Sequence, residues 1–172
     1  SSSGQSRHHF TVIKEDIITV PAVSGACFGI RRDVFEKTNG FDEGIRMWGR
    51  EDFEYGLRLW RLGYDLTMSP LSGIAHSWER KRAFSISWKE VDYNILRTSA
   101  TLFSPEGHQR VVAFLKKERS SHVTQTLREL KDDHRFQNRK ENLEQCFVRD
   151  FDDYLQTFSA ILPFLYTTES GC

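Results

Sequence analysis

Apolar positions follow two different spacings along this chain, and the change falls near residue 84. Before it, short β-branched runs and brief helical stretches alternate with glycines. Ile17-Ile18-Thr19-Val20 reads as a strand stopped by Pro21, within an extended stretch over residues 10–30. Small residues around Gly25 and Gly29 suggest a place where backbone approaches something closely. Residues 31–38 predict a short helix closed by Asn39-Gly40. Residues 41–50 predict a loop broken by Gly44 and Gly49. From Glu51 the spacing turns helical: Phe53, Leu57 and Trp60 fall at i, i+4 and i+7 on one face, and Gly63 stops the run. Residues 64–68 read as a strand, 70–73 as a turn, and Ile74-Ala75-His76 as another short strand.

Beyond residue 84 glycines nearly vanish. Trp88, Val91 and Ile95 can share a helical face; Val111, Val112 and Leu115 form a second group, and Val123, Leu127 and Leu130 a third. Leu143, Phe147, Phe151, Tyr154 and Phe158 make one long stripe, with residues 132–140 as a charged linker before it. The pattern divides the chain into a flexible lead-in (1–17), a mixed α/β part (18–84) and a helical extension (85–172).

Composition narrows the function classes. At 172 residues the chain can bury a core of its own. The 24 basic and 24 acidic residues cancel, so there is no electrostatic footprint for nucleic acid; Arg80-Lys81-Arg82 and Lys116-Lys117 are too short to make one. No apolar run reaches the roughly 18 residues of a membrane span. Cys27, Cys146 and Cys172 have no metal-ligand spacing and cannot all pair. With a polar N-terminus that lacks an apolar leader core, this leads to the expectation of a reducing, cytoplasmic setting.

The chemistry concentrates in Trp48-Gly49-Arg50-Glu51-Asp52, which places two adjacent acids at the start of a helix. There the backbone N–H groups and the macrodipole favour negative charge, so capping alone also accounts for such a pair. Sugar transfer from a nucleotide donor asks for more: a base for the acceptor hydroxyl, a counter-charge for the leaving diphosphate, and substrates held in line. A carboxylate serves the first need; a histidine with further acids can hold Mn²⁺ for the second.

The order of four blocks gives these residues a context. Val23-Ser24-Gly25-Ala26-Cys27-Phe28-Gly29-Ile30-Arg31-Arg32, then Asn39-Gly40-Phe41-Asp42-Glu43, then Trp48-Gly49-Arg50-Glu51-Asp52, then Ile74-Ala75-His76 resembles the C-terminal half of a GT-A glycosyltransferase. The β-1,4-galactosyltransferases, polypeptide N-acetylgalactosaminyltransferases and bacterial family 2 transferases are similar over about residues 18–82. The resemblance implies an α/β fold, the C-terminal part of a GT-A fold, followed by the helical extension. It implies Asp52 as catalytic base and Glu51 as the acid that holds the acceptor. It puts Ser24 and Gly25 under the donor sugar and against a central sheet, Asp42 on the acceptor side, Trp48 and Gly49 at a hinge near the donor, and Arg80 facing the diphosphate. It makes His76 a ligand of Mn²⁺ or another divalent cation. The partners implied are a UDP-sugar donor carrying a hexose or N-acetylhexosamine, a glycan, protein or lipid acceptor, and a nucleotide-binding N-terminal half or partner chain.

Three departures bear on that picture. The pattern Trp-Gly-Gly-Glu reads Trp-Gly-Arg-Glu here, with Arg50 at the hinge. Asp52 stands where the retaining N-acetylgalactosaminyltransferases carry Asn, which favours an inverting displacement. The nucleotide-binding half with its Asp-x-Asp or Asp-x-His motif is expected before residue 18; Asp132-Asp133-His134 has a similar look but lies in the charged run after His76. The rival expectation is a non-catalytic assembly module derived from a transferase half, using the stripe from residue 143 to 158 to hold a partner helix.

Overall fold

The computed structural model describes residues 17–76 and 85–159. They form two short strands and six helices, so this part of the chain is mostly helical. Strand β1 (Ile18–Thr19) pairs antiparallel with β2 (Thr67–Met68), Ile18 opposite Met68. Val20 N–H continues the ladder to Leu66 O at 2.9 Å. The expected strand over residues 64–68 is thus confined to its last two residues, and Ile74-Ala75-His76 is irregular rather than extended into a sheet.

Helix α1 (Arg32–Lys37) ends as the sequence predicts. Asn39 adopts a left-handed φ of 56° and Gly40 N–H reaches back to Phe35 O at 2.9 Å, a Schellman closure that satisfies the last carbonyls. Helix α2 (Glu51–Arg61) is the centre of the fold. Its predicted stripe is real: Leu57 and Trp60 are buried, with Phe53 packed beside them. The opposite face carries Tyr55 and Leu59 against Leu66, Val20, Val23, Phe28 and Val34. Gly56 lets this second layer close, since a Cβ there would stand 3.2 Å from the Val23 backbone nitrogen.

Helix α3 (Trp88–Leu102) lies between α2 and α4 and is buried on most sides. The single-face expectation for Trp88, Val91 and Ile95 therefore covers only part of it: Trp88 is exposed, whereas Tyr93, Leu96 and Leu102 are buried. Helix α4 (Pro105–Asp132) is one element carrying both the Val111 and the Val123 groups. Ser104 caps it by accepting from Gly107 N–H, and Pro105 occupies the first turn, where its missing N–H is harmless. Leu115, Val123 and Leu130 meet Tyr93 and Leu96 of α3 and Phe136 of α5.

Residues 132–140 are not a linker. Helix α5 (His134–Glu144) begins there, capped by Asp133, whose carboxylate accepts from Arg135 N–H at 2.9 Å and Phe136 N–H at 3.1 Å. The charge run hid a helix because only Phe136 is buried on it. The Asp132-Asp133-His134 triplet is thus the junction of α4 and α5. The stripe from 143 to 158 is likewise broken, since helix α6 (Phe151–Thr157) starts after a turn. Phe151, Tyr154 and Phe158 pack onto Leu57, Trp60 and Leu102, joining the last helix to α2 and α3.

Candidate functional site

The Trp48–Asp52 region is built on an unusual backbone. Met47, Gly49 and Arg50 have φ of 50°, 100° and 78°. Arg50 is the residue before α2, left-handed at ψ −4°, and its carbonyl accepts the first helical bond from Glu54 N–H at 2.8 Å. Glycine takes this conformation without steric cost and arginine does not. The substitution that departs from Trp-Gly-Gly-Glu therefore leaves the turn geometry in place, at a cost in strain.

Asp52 then sits in the first turn of α2, half-buried, with both oxygens held by backbone. Phe53 N–H donates to Oδ1 at 2.8 Å, and Gly25 N–H donates to Oδ2 at 2.9 Å across 27 residues. Gly25 is where the expected close approach occurs: a Cβ would lie 3.3 Å from that oxygen. Gly29 has nothing within 4 Å of such an atom. Ser24 is exposed and its hydroxyl accepts from Ala26 N–H at 3.3 Å, shaping the turn. The 23–25 segment thus packs on α2, not on a central sheet among the described residues. Each Asp52 oxygen retains lone-pair capacity for a further partner. Glu51, beside it, has Oε2 buried with no hydrogen-bond partner among the described residues. A buried carboxylate oxygen in that state is costly unless something binds it.

Trp48 is 40% exposed, and Gly49 offers its carbonyl to Asn94 Nδ2 at 2.9 Å. Asp42 is used differently. It is buried and takes a two-pronged contact from Arg97, Nε to Oδ2 at 2.8 Å and Nη2 to Oδ1 at 2.9 Å. Gly44 N–H adds a bond at 2.9 Å, and Arg139 Nε forms an ion-pair contact at 3.3 Å. Burial pushes the Asp42 carboxyl up, but the Arg97 hydrogen bonds and the Arg139 charge outweigh it and hold the group below the usual carboxylate range. Asp42 therefore ties the loop after α1 to α3 and α5. It also lines a cleft of about 560 Å³ with Phe41, Glu43, Arg135 and Arg139.

A second buried pair supports this one. Arg58, wholly buried, bonds Glu54 Oε1 at 2.7 Å, Thr38 O at 2.7 Å and Gly40 O at 2.6 Å. Arg139 Nη2 joins the network through Glu54 Oε1 at 3.2 Å. Satisfying several acceptors at once is what makes a buried guanidinium tolerable. Sequence reasoning passed over Glu54, Arg58, Arg97 and Asn94. The only signal was polar residues interrupting apolar helix faces, which by itself does not say what they touch.

His76 is exposed at the end of the first described segment. Arg80 lies outside the described residues. Among the described residues no three His, Cys, Asp or Glu side chains come together in a group that could hold a metal ion. These residues alone do not make a Mn²⁺ site. No helix among them is long and apolar enough to cross a membrane.

Residues 17–80 match a family model described as the N-terminal domain of galactosyltransferase. The chain is also similar to polypeptide N-acetylgalactosaminyltransferase 8 of Drosophila melanogaster, 33% identical over 89 residues, which is 48% of this chain and 15% of that protein. Polypeptide N-acetylgalactosaminyltransferase 12 of Homo sapiens is 30% identical over 70 residues, 41% of this chain and 12% of that protein. An inactive polypeptide N-acetylgalactosaminyltransferase-like protein 5 of Macaca fascicularis is 36% identical over 81 residues, 46% of this chain and 18% of that protein. The chain thus spans less than a fifth of the length of these relatives. The family-model match includes both Gly25 and Asp52.

Proposed function

We propose that this chain carries the acceptor-side, catalytic-base part of a glycosyltransferase with a GT-A fold, moving a hexose or N-acetylhexosamine from a UDP-sugar to a hydroxyl. The observation that carries the reading is the 2.9 Å bond from Gly25 N–H to Asp52 Oδ2. It joins two sequence blocks that a sugar-transfer site needs side by side, and it orients a carboxylate while leaving it acceptor capacity. Asp52 takes the proton of the acceptor hydroxyl as that oxygen attacks the anomeric carbon, giving inversion; the nucleoside diphosphate leaves with the bonding electrons. Glu51, with a buried oxygen unpartnered among the described residues, receives a second hydroxyl of the acceptor and aligns the first. Ser24 and Gly25 face the donor sugar, Trp48 and Gly49 flank it, and Asp42 fixes the loop that bears Phe41 and Glu43 on the acceptor side. Arg80, outside the described residues, is proposed as a cationic contact for the diphosphate. His76 would supply one ligand for a divalent cation such as Mn²⁺, which would offset the charge of the leaving diphosphate, with the other ligands from outside the described residues.

The test is Asp52→Asn in a protein that joins this chain to its nucleotide-binding half. The amide oxygen can still accept from Gly25 N–H while the bond from Phe53 N–H is lost, a cost of about 1 kcal/mol, so the fold and UDP binding are expected to persist while transfer falls by about 10²–10⁴-fold. Unchanged turnover refutes the base assignment. The rival reading, an assembly module, relied on a free stripe over residues 143–158; Phe151, Tyr154 and Phe158 of that stripe are committed to the chain's own core.

A further inference from the structure

The backbone that delivers Glu51 and Asp52 cannot hold itself. Three of the four residues from Met47 to Arg50 are left-handed, two of them not glycine. Three bonds that fix this loop come from one side chain on another element. Asn94 of α3 is fully buried. Its Oδ1 accepts Arg46 N–H at 2.8 Å, and its Nδ2 donates to Arg46 O at 2.8 Å and to Gly49 O at 2.9 Å. Both donors and an acceptor of one amide are thus spent on a four-residue span. The Arg46 side chain is anchored to the same surface: it lies 3.4 Å over the Tyr93 ring and pairs with Glu90 at 3.5 Å and Glu129 at 3.2 Å. Gly49 is the last residue but one before α2.

We infer that Asn94 is a positioning residue for the Glu51-Asp52 pair: it clamps the Arg46–Gly49 backbone, and through the strained Arg50 turn it sets where the first turn of α2 presents its carboxylates. This rests on the reading of Asp52 as base. It gives helix α3, outside the residues 17–80 that match the family model, a part in the chemistry. The one acceptor and two donors of an asparagine amide match these three bonds. Aspartate keeps the acceptor for Arg46 N–H but faces two carbonyls with an oxygen, unless it is protonated, when it regains one donor. Leucine fills the volume and loses all three bonds.

The experiment compares amide hydrogen exchange in the 172-residue chain with that of Asn94→Asp and Asn94→Leu. Residues 44–50 are the readout and residues 55–61 of α2 the internal reference. Both variants are expected to lose tenfold or more protection at 44–50 and to stay within twofold at 55–61. In Asn94→Asp part of the lost protection returns as pH is lowered from 7.5 to 5, as the protonated carboxyl regains one donor; in Asn94→Leu none returns. Should Asn94→Leu fail to fold, the pH recovery of Asn94→Asp decides alone. Wild-type exchange at 44–50 in Asn94→Asp, or equal loss at 44–50 and 55–61, overturns the clamp. In the joined enzyme, kcat at pH 7.5 is expected to fall at least tenfold in Asn94→Asp with donor KM within twofold of wild type. A wild type that transfers no sugar overturns the catalytic reading and the positioning role together, while the exchange data separately report whether the clamp exists.

Discussion

Gly25 N–H and Asp52 Oδ2 meet at 2.9 Å, so the turn after β1 and the first turn of α2 share one hydrogen bond. The space for a side chain at residue 25 is limited by that same oxygen, 3.3 Å from a Cβ. Gly25→Ala is expected to displace the carboxylate by a few tenths of an ångström. Its φ is not left-handed, so the backbone accepts alanine, and the unfolded chain loses entropy. Stability should therefore hold or rise slightly while transfer falls, on the order of tenfold. Thermal melting and steady-state kinetics on the same preparation check it; a parallel loss of both contradicts the proposed geometry.

Arg50 holds a left-handed conformation before α2. Arg50→Gly removes the steric penalty and is expected to stabilise the chain by about 0.5–1 kcal/mol after allowing for glycine's extra unfolded freedom. Arg50→Val should do the reverse, because a β-branched residue suits that region worst. Denaturant midpoints of the three proteins give the order.

Asp42 neutralises Arg97 and contacts Arg139 within the fold. Asp42→Asn leaves the Arg97 guanidinium without its counter-charge and Arg139 with Glu54 alone, and the loss of a buried pair's partner typically costs about 3 kcal/mol or more. The acid limb of stability should depend on the same group. Its folded carboxyl titrates below the unfolded value of 3.8, so its contribution is present above that pH and disappears as pH falls through the lower folded value. Urea melts between pH 5 and 2.5 should be less steep in pH for the variant than for the wild type.

His108 reports a different window. Its Nδ1 lies 2.9 Å from Ser99 Oγ between α4 and α3, and burial, with the nearby Lys140 charge, lowers its pKa from 6.5. The neutral ring is the one the fold prefers. Its contribution is therefore complete above pH 6.5 and declines as pH falls through the depressed folded value. His108→Gln should flatten the stability profile between pH 6.5 and 5 without altering it at pH 8. An identical slope in wild type and variant would remove His108 from the account.

Much of the local structure was legible in the residues. Asn39-Gly40 closed α1 because a left-handed pair can satisfy carbonyls locally, and Phe53, Leu57 and Trp60 marked the buried face of α2 because periodicity records which side meets a core. Helix α5 was misread as a linker because its identity lies in one cap and one buried ring, Asp133 and Phe136, among solvated charges. Strands at 64–68 and 74–76 were over-read, since a short apolar run takes its final form from the neighbours it pairs with.

The same division runs through the site. The order of four residue blocks, through its resemblance to GT-A transferases, pointed to Ser24-Gly25, Glu51-Asp52 and a sugar-transfer chemistry. That Gly25 reaches Asp52, that Asp42 is held by Arg97 and Arg139, and that Asn94 grips the loop between Arg46 and Gly49 was decided only by tertiary packing. Those partners lie 27 to 97 residues apart. A hydrogen bond reads distance and angle in space, and no local pattern along the chain encodes either across such separations.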